Sequence, residues 1–153
     1  MTEQRWFVCV AAAVAATVWA FAIAAGPWVA EAAPGLGGVL YSVGSLICHQ
    51  RPERSFHLGS AQLPVCARCL GLYAGGALGL VVWTIISRTR RSQWSHRSAI
   101  GLLMMSGAPT AMTLVSAWLG LGDPANAWRA ALALPLGAVG GLLVGAVASD
   151  HLK

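Results

Sequence analysis

Charged residues are scarce in this chain. Only 10% of its 153 residues are Asp, Glu, Lys or Arg, whereas 57% are hydrophobic. A soluble domain has about 25% charged residues, so this chain has too few charges to cover an apolar core. Disorder is excluded as well, because disordered chains are polar and highly charged. The sequence therefore predicts an integral membrane protein with one domain over residues 1–153.

Two further absences argue against two classes of function. The ten basic residues form no extended stripe, which argues against nucleic-acid binding. Contact with anionic lipid explains the net charge of +5 better. The long apolar stretches contain no Asp or Glu, and this argues against a proton-coupled transporter, which commonly needs a membrane-embedded acid.

Four uncharged stretches are long enough to cross a bilayer. A span needs roughly 20 apolar residues, and the stretches of 19 to 25 residues lie at 6–30, 69–87, 98–122 and 130–149. Each is expected to be an α-helix, because backbone polar groups in lipid must be hydrogen-bonded within the segment. Tryptophans, which favour membrane interfaces, lie near the predicted ends as Trp6, Trp28, Trp94 and Trp128. We therefore expect an all-α bundle of four transmembrane helices.

A fifth apolar stretch, residues 35–48, is too short to span comfortably. A helix of this length reaches about 21 Å at 1.5 Å per residue, against about 30 Å of hydrocarbon. Its apolar residues recur at helical spacing as Leu36, Leu40, Val43 and Ile47. We predict a short interfacial or re-entrant helix.

The placement of arginine predicts the orientation. Four arginines lie in the short, acid-free segment 88–97, as Arg88, Arg90, Arg91 and Arg97. Basic loops stay cytoplasmic, so both termini are predicted to be cytoplasmic in the cell membrane, and the loop 48–69 exoplasmic. Ala30-Glu31-Ala32 resembles a signal-peptidase site, but the preceding apolar run exceeds the 7–15 residues usual for a signal peptide. We expect residues 1–32 to be retained.

The loop 48–69 contains three of the four cysteines and two of the four histidines. Two thiolates spaced as in Cys66-x-x-Cys69 can bind one metal ion. Cys48 and His49 would complete a four-ligand set typical of zinc and, as a weaker alternative, of iron. Adjacent ligands point in different directions, so His57 is the reserve nitrogen. The leading hypothesis is a metal site, acting on a lipid or quinone-like substrate.

Two other interpretations of the cluster stay open. A Cys-x-x-Cys at a helix amino terminus has a lowered thiol pKa, here aided by Arg68, and suits a thiol–disulfide oxidoreductase that uses Cys66 and Cys69, with Cys48 as resolving thiol. Disulfides persist on the exoplasmic side. Alternatively, a metal ion or a disulfide serves only to hold the loop in a structural or accessory membrane protein.

The same segment resembles a known family. Cys48-His49-Gln50, Pro52-Glu53-Arg54-Ser55-Phe56 and Pro64-Val65-Cys66-Ala67-Arg68-Cys69 are similar to the signature of the "domain of unknown function 2085" family of bacteria and archaea. Pro109, Asn126 and Arg129 resemble its second block, which usually has Asp-Gly where this chain has Met112-Thr113-Leu114. The resemblance implies a small multi-pass membrane protein with a shared Cys/His/Arg site, and no established reaction.

Several polar residues near the cluster are candidates for supporting roles. We expect Arg54, Arg68 and Arg129 to lie at the interface, where they bind an anionic lipid headgroup or extend into the headgroup region. Glu53 is expected to pair with a neighbouring arginine or to support a metal-bound histidine. Gln50 and Ser55 are candidates for hydrogen bonds to the metal ligands or within the loop.

Small residues and isolated polar residues complete the predictions. Glycines recur at four-residue spacing in two predicted spans, as Gly71, Gly75, Gly79 and Gly137, Gly141, Gly145. Such faces favour close helix packing, first within the bundle and second between two copies of the chain. Cys9 is expected to be a buried small residue, and His151 a solvated one.

Overall fold

The computed structural model describes residues 2–89 and 94–151, without the side chain of Thr89. Its helices, strands and one 3₁₀ turn are α1 Glu3–Ala24, α2 Gly26–Ala32, α3 Pro34–Ile47, the turn Pro52–Arg54, β1 Ser55–Leu58, β2 Ala61–Cys66, α4 Ala67–Thr89, α5 His96–Trp118 and α6 Asn126–Ala148. Four of the helices, α1, α4, α5 and α6, are long and apolar enough to cross a membrane. The predicted all-α membrane bundle with a short extra helix is therefore confirmed.

The first apolar stretch is divided, in contrast to the single helix expected over 6–30. α1 ends at Ala24, and α2 begins at Gly26 with Pro27 in its first turn. Proline lacks an N–H and clashes with the preceding helical turn, so it starts a new helix more readily than it continues one. A Cβ on Gly26 would lie 2.6 Å from the side chain of Pro64 in β2. The break thus lets the chain pack closely against the later hairpin.

The centre of the bundle is a close contact between α4 and α6. A Cβ on Gly71 would clash with the carbonyl oxygen of Ala130, and one on Gly137 with that of Leu72. Helix backbones can approach this closely only where side chains are absent. The two glycine faces are therefore buried against each other, as first expected, rather than exposed to a second copy. α1 packs on α4 and α5 packs on α6.

One end of the bundle, here the terminal end, brings together the start of α1, the end of α4, the start of α5 and the end of α6. Arg5 forms a 2.8 Å ion pair with Asp150, and the N–H of Trp94 donates to the carbonyl of His151 at 2.8 Å. His151 is only 9% exposed, with its ring against Trp83. The expectation of a solvated His151 is wrong, because the chain folds back onto Trp94. Arg90, Arg91 and Lys153 lie outside the described residues.

The opposite end, here the hairpin end, comprises α2, α3, residues 48–69 and the connection 119–129. The predicted loop 48–69 contains an antiparallel hairpin that pairs Ser55 with Cys66 and His57 with Gln62. Its turn contains Gly59, whose φ of +61° is a conformation that glycine adopts without strain. The Tyr41 hydroxyl of α3 donates to the carbonyl of Gln62. The hairpin thereby holds residues 48 and 66 beside the start of α4.

Candidate metal centre

Three cysteines converge at the hairpin end from three different elements. Cys48 follows α3, Cys66 ends β2, and Cys69 lies in the first turn of α4. Their Sγ atoms all lie within 4.8 Å of one another. Cys48 is 7% exposed and the other two are half-buried, and all three are free thiols. The structure thus brings together residues that are up to 21 positions apart in the sequence.

Hydrogen bonds to sulfur favour the thiolate form of one cysteine in this cluster, Cys66. The backbone N–H of Cys66 donates to the Sγ of Cys48 at 3.1 Å. The pKa of Cys66 is lowered to about 5, chiefly because the Cys69 thiol donates to its sulfur, with further help from the Cys48 thiol and the backbone N–H groups of Cys69 and Arg68. The first N–H groups of a helix have no partner within the helix, so the start of α4 supplies donors at this position. These bonds therefore favour the thiolate form of Cys66.

The two histidines of the segment lie outside this group of sulfurs. His49 is exposed on the wall of the adjoining cavity, and His57 is exposed on β1. Cys48 is in an extended conformation, with φ −147° and ψ 139°, so the next side chain points away from it. Of the four predicted ligands, the three cysteine sulfurs therefore lie together, and the histidine nitrogen does not lie with them.

The three sulfurs lie close enough together to bind one metal ion. Zinc–sulfur bonds of about 2.3 Å at tetrahedral angles place sulfur atoms about 3.8 Å apart, which is compatible with the observed spread. Three protein ligands plus one position for water or substrate is the pattern of catalytic zinc sites, whereas structural sites have four protein ligands. The arrangement can therefore hold a metal and leave one coordination position for another molecule.

A cavity of about 360 Å³ adjoins the cysteines. Its basic wall is formed by four side chains, His49, Arg51, Arg54 and Arg68. Its apolar wall is formed by one side chain from each of three helices, Ile47 of α3, Leu72 of α4 and Leu114 of α5. The cavity therefore joins the sulfur cluster to a positively charged surface on one side and to an apolar surface on the other.

Two of the predicted arginines share a carboxylate that the sequence analysis did not select. Asp123 forms an ion pair with Arg129, and a second one with Arg54 at 3.3 Å. Arg129 is 5% exposed and also donates to the Asn126 side chain at 3.1 Å. The Asn126 amide donates in turn to the carbonyl of Ser55 at 2.9 Å. This network attaches the start of α6 to the hairpin.

One signal in the sequence could have identified Asp123. It is the only acid between Glu53 and Asp150. It also precedes Asn126 and Arg129 by three and six residues, a spacing that suits a local polar cluster at a helix start. Glu53 is exposed in the 3₁₀ turn. Glu53 was expected to pair with a neighbouring arginine, but Asp123 is the acid that pairs with Arg54 and Arg129.

Arg68 has a neutral partner. Its Nη2 donates to the hydroxyl of Thr113 on α5 at 3.1 Å. Thr113 stands in the region where the resembled family usually has Asp-Gly. Within the described residues, the Nε atoms of Arg54 and Arg68 are buried and have no hydrogen-bond partner. Both arginines line the cavity, and each guanidinium has Nη donors beyond those that meet Thr113 and Asp123.

Gln50 and Ser55 hold the hairpin in place. The Gln50 amide donates to the carbonyls of Tyr41 and Pro64, at 2.9 and 2.6 Å, and the residue adopts a φ of +46°. The hydroxyl of Ser55, which is 1% exposed, donates to the carbonyl of Arg51 at 2.9 Å. These bonds satisfy backbone groups around the cluster. Of the two roles expected for Gln50 and Ser55, they correspond to hydrogen bonding within the loop.

Comparison with known proteins agrees with the predicted resemblance. One relative is an uncharacterized protein of Methanocaldococcus jannaschii, 47% identical over 49 residues, or 32% of this chain and 31% of the relative. Another, from Methanothermobacter thermautotrophicus, is 52% identical over 29 residues, or 19% of this chain and 26% of the relative. The matched segments thus cover less than a third of either relative.

No solved structure matches the chain. The family described as "Predicted membrane protein (DUF2085)" matches residues 48–145. This range is well over half of the chain, and it contains the three clustered cysteines as well as Arg54, Arg68, Asp123 and Arg129. The chain therefore belongs to the domain of unknown function 2085 family of membrane proteins.

Proposed function

We propose that this protein binds one metal ion at the membrane surface through Cys48, Cys66 and Cys69, with zinc favoured over iron. The observation that carries the proposal is the convergence of three Sγ atoms within 4.8 Å. Zinc and iron both bind thiolates, but a site of three sulfurs suits tetrahedral zinc. The N–H bond to Cys48 would fix that ligand and offset part of its charge.

The open coordination position gives the proposed site a possible reaction. Bound zinc acts as a Lewis acid and lowers the pKa of a bound water. The apolar wall of the cavity suits a lipid or quinone-like substrate that reaches the metal from the membrane. His49 also lines the cavity, where it could bind the substrate or exchange a proton with it.

We further propose that the hairpin end is exoplasmic and that both termini are cytoplasmic in the cell membrane. The terminal end carries Arg5, Arg88 and Arg97, and Arg90 and Arg91 lie between the last two in the sequence. Basic residues flanking spans favour the cytoplasmic side. A membrane-impermeant thiol reagent should label Cys66 or Cys69 in intact cells after chelation. Labelling that requires broken cells would reverse the orientation.

Metal analysis of the detergent-purified protein tests the site. We expect about one zinc per chain in the native protein and less than a tenth of that in Cys66→Ser. Cys9→Ser is the matched control, because Cys9 is completely buried near the terminal end and donates to the carbonyl of Gly145. It should retain the full zinc content. A native protein without zinc or iron would overturn the proposal.

A second candidate function is thiol–disulfide exchange by Cys66 and Cys69. The observation that favours it is the lowered pKa of Cys66, because a thiolate at neutral pH is the attacking species in exchange. It predicts a metal-free protein in which Cys66 and Cys69 form a bond that dithiothreitol reduces reversibly. If neither a metal nor such a bond is found, a structural or accessory role for the hairpin end is the remaining interpretation.

A further inference from the structure

We infer that the cavity beside the cysteines binds a phosphate group, and that Arg54 and Arg68 are its main partners. The inference deepens the proposed function, since it names the class of molecule brought to the metal. Delivery of this molecule to the metal depends on the proposed metal site. Binding of the phosphate does not, because the phosphate contacts come from the arginines. The evidence lies in the charge, the unused donors and the apolar wall of the cavity.

Positive charge exceeds negative charge at this site. Arg51, Arg54 and Arg68 all line the cavity. The carboxylate of Asp123, which pairs with Arg54, is shared with Arg129. Arg68 donates to a hydroxyl instead of a carboxylate. An anion in the cavity would therefore gain a favourable interaction that the protein's own acids leave available.

The arginines also have donors left for a ligand. A guanidinium carries five N–H donors in a planar fork that matches two oxygens of a phosphate. Among the described residues, Arg68 donates through Nη2 to Thr113 and Arg54 pairs through Nη2 with Asp123, so each guanidinium keeps further Nη donors for a ligand. A phosphate in the cavity would accept from these donors, and charge-assisted bonds of this kind are strong.

The remaining wall indicates how such a ligand reaches the cavity. Ile47 and Leu114 are each 48% exposed, and together with Leu72 they line the cavity from three helices. In a bilayer these side chains face lipid. A phosphate that carries an acyl or polyprenyl chain could place its head at the arginines and its chain along this wall. A soluble phosphate would use the same arginines without the apolar wall.

The test compares phosphate sources with the full chain in detergent and in nanodiscs. The probes are phosphatidic acid, phosphatidylcholine and inorganic phosphate. Native mass spectrometry counts bound lipid, and a thermal shift reports inorganic phosphate. We expect the native protein to bind phosphatidic acid at least tenfold more tightly than phosphatidylcholine. The combined change Arg54→Gln and Arg68→Gln should reduce this preference at least tenfold.

A matched double variant controls for charge alone. Arg5→Gln with Arg88→Gln removes two arginines from the terminal end and should leave the preference unchanged. If the first double variant does not fold, Arg68→Lys keeps the charge but loses the fork, and should weaken binding severalfold. Equal losses in the two double variants, or an unchanged affinity in Arg68→Lys, would overturn the inference.

The outcomes also separate the phosphate sources and the two proposals. Inorganic phosphate that competes with phosphatidic acid indicates a soluble phosphate ligand, whereas lipid binding without competition indicates a headgroup. Binding of neither probe overturns the inference. Zinc is measured on the same samples. Zinc without a phosphate preference overturns this inference alone, and a phosphate preference without any metal overturns the proposed metal site alone.

Discussion

The two ends of the bundle use the same kinds of residue in different surroundings. The terminal end has an arginine–aspartate pair, Arg5 with Asp150, whose side chains are 45% and 69% exposed. At the hairpin end, Arg129 is 5% exposed where it meets Asp123. The terminal end also has one completely buried cysteine, Cys9, whereas the hairpin end has three clustered ones.

The difference lies in what each end does with its buried polar groups. At the terminal end, the indole N–H of Trp83 donates to Ser149 at 2.9 Å, and Ser149 donates to the carbonyl of Gly145 at 2.7 Å. The hairpin end instead gathers three arginines and three cysteines around one cavity. Buried charges cost stability unless they are fully paired, and natural proteins accept such costs mainly at functional sites. The clustered cysteines and arginines are therefore the reason that the proposed function is placed at the hairpin end.

The largest expected effect tests the two ion pairs against each other. Arg129→Met removes charge-assisted bonds to Asp123 and Asn126, each worth about 1.5 to 3 kcal/mol, so we expect the free energy of unfolding to fall by about 3 kcal/mol. Arg5→Met breaks an exposed pair and should cost less than about 1 kcal/mol. Denaturation of both variants in detergent, followed by tryptophan fluorescence, measures the difference. Equal losses of free energy in the two variants would mean that burial does not make the Arg129 pair stronger than the Arg5 pair.

The next effect is the loss of stability when a chelator removes the metal, compared between variants of Cys9 and Cys66. Chelation should lower the free energy of unfolding by about 2.7 kcal/mol if free zinc is initially a hundredfold above its dissociation constant. Cys9→Ser should show the same loss. Cys66→Ser should be insensitive to the chelator, because its site no longer binds zinc. A chelator effect that persists in Cys66→Ser would place the metal elsewhere.

A smaller effect is expected from loss of the hydrogen bond between Trp83 and Ser149 at the terminal end. Ser149→Ala leaves the N–H of Trp83 without its acceptor, and Trp83 is 2% exposed. An unsatisfied buried donor should cost about 1 to 2 kcal/mol. Ser42→Ala, on the exposed face of α3, is the control and should change stability little. Zinc content should be normal in both. A loss of zinc in Ser149→Ala would show that the two ends are coupled.

The smallest expected effect concerns the acids of the hairpin end. Glu53→Gln alters an exposed residue, so the free energy of unfolding should change by less than about 0.5 kcal/mol. Asp123→Asn should cost clearly more, because two arginines lose their shared carboxylate. Unfolding of the two variants under identical conditions is the measurement. The reverse order would restore Glu53 as the partner of the arginines.

Sequence reasoning succeeded where the determinant was local. The length of an uncharged stretch predicts a span, so the four long helices could be located. The divided first stretch was missed, although Pro27 marks the start of α2. The hairpin was missed because its strands are only four and six residues long, and because proline at residue 64 is unusual within a strand.

Within the candidate site, spacing in the sequence could predict which cysteines meet but not what surrounds them. The Cys66-x-x-Cys69 spacing and the isolated Cys48 identified all three clustered sulfurs. His49 was included because it is adjacent to Cys48, but neighbouring residues in an extended chain point in opposite directions. Asp123 reaches Arg54 only through the fold, across 69 positions of sequence. Contacts of this kind depend on packing and carry no local signal.

X-ray absorption at the zinc edge of the purified protein tests the central claim most directly. Three thiolates and one open position predict a first shell of three sulfur atoms at about 2.3 Å and one lighter oxygen or nitrogen atom at about 2.0 to 2.1 Å. Cys9→Ser should give the same spectrum. A zinc shell without sulfur, or no zinc signal from a folded protein whose cysteines are reduced, would contradict the account.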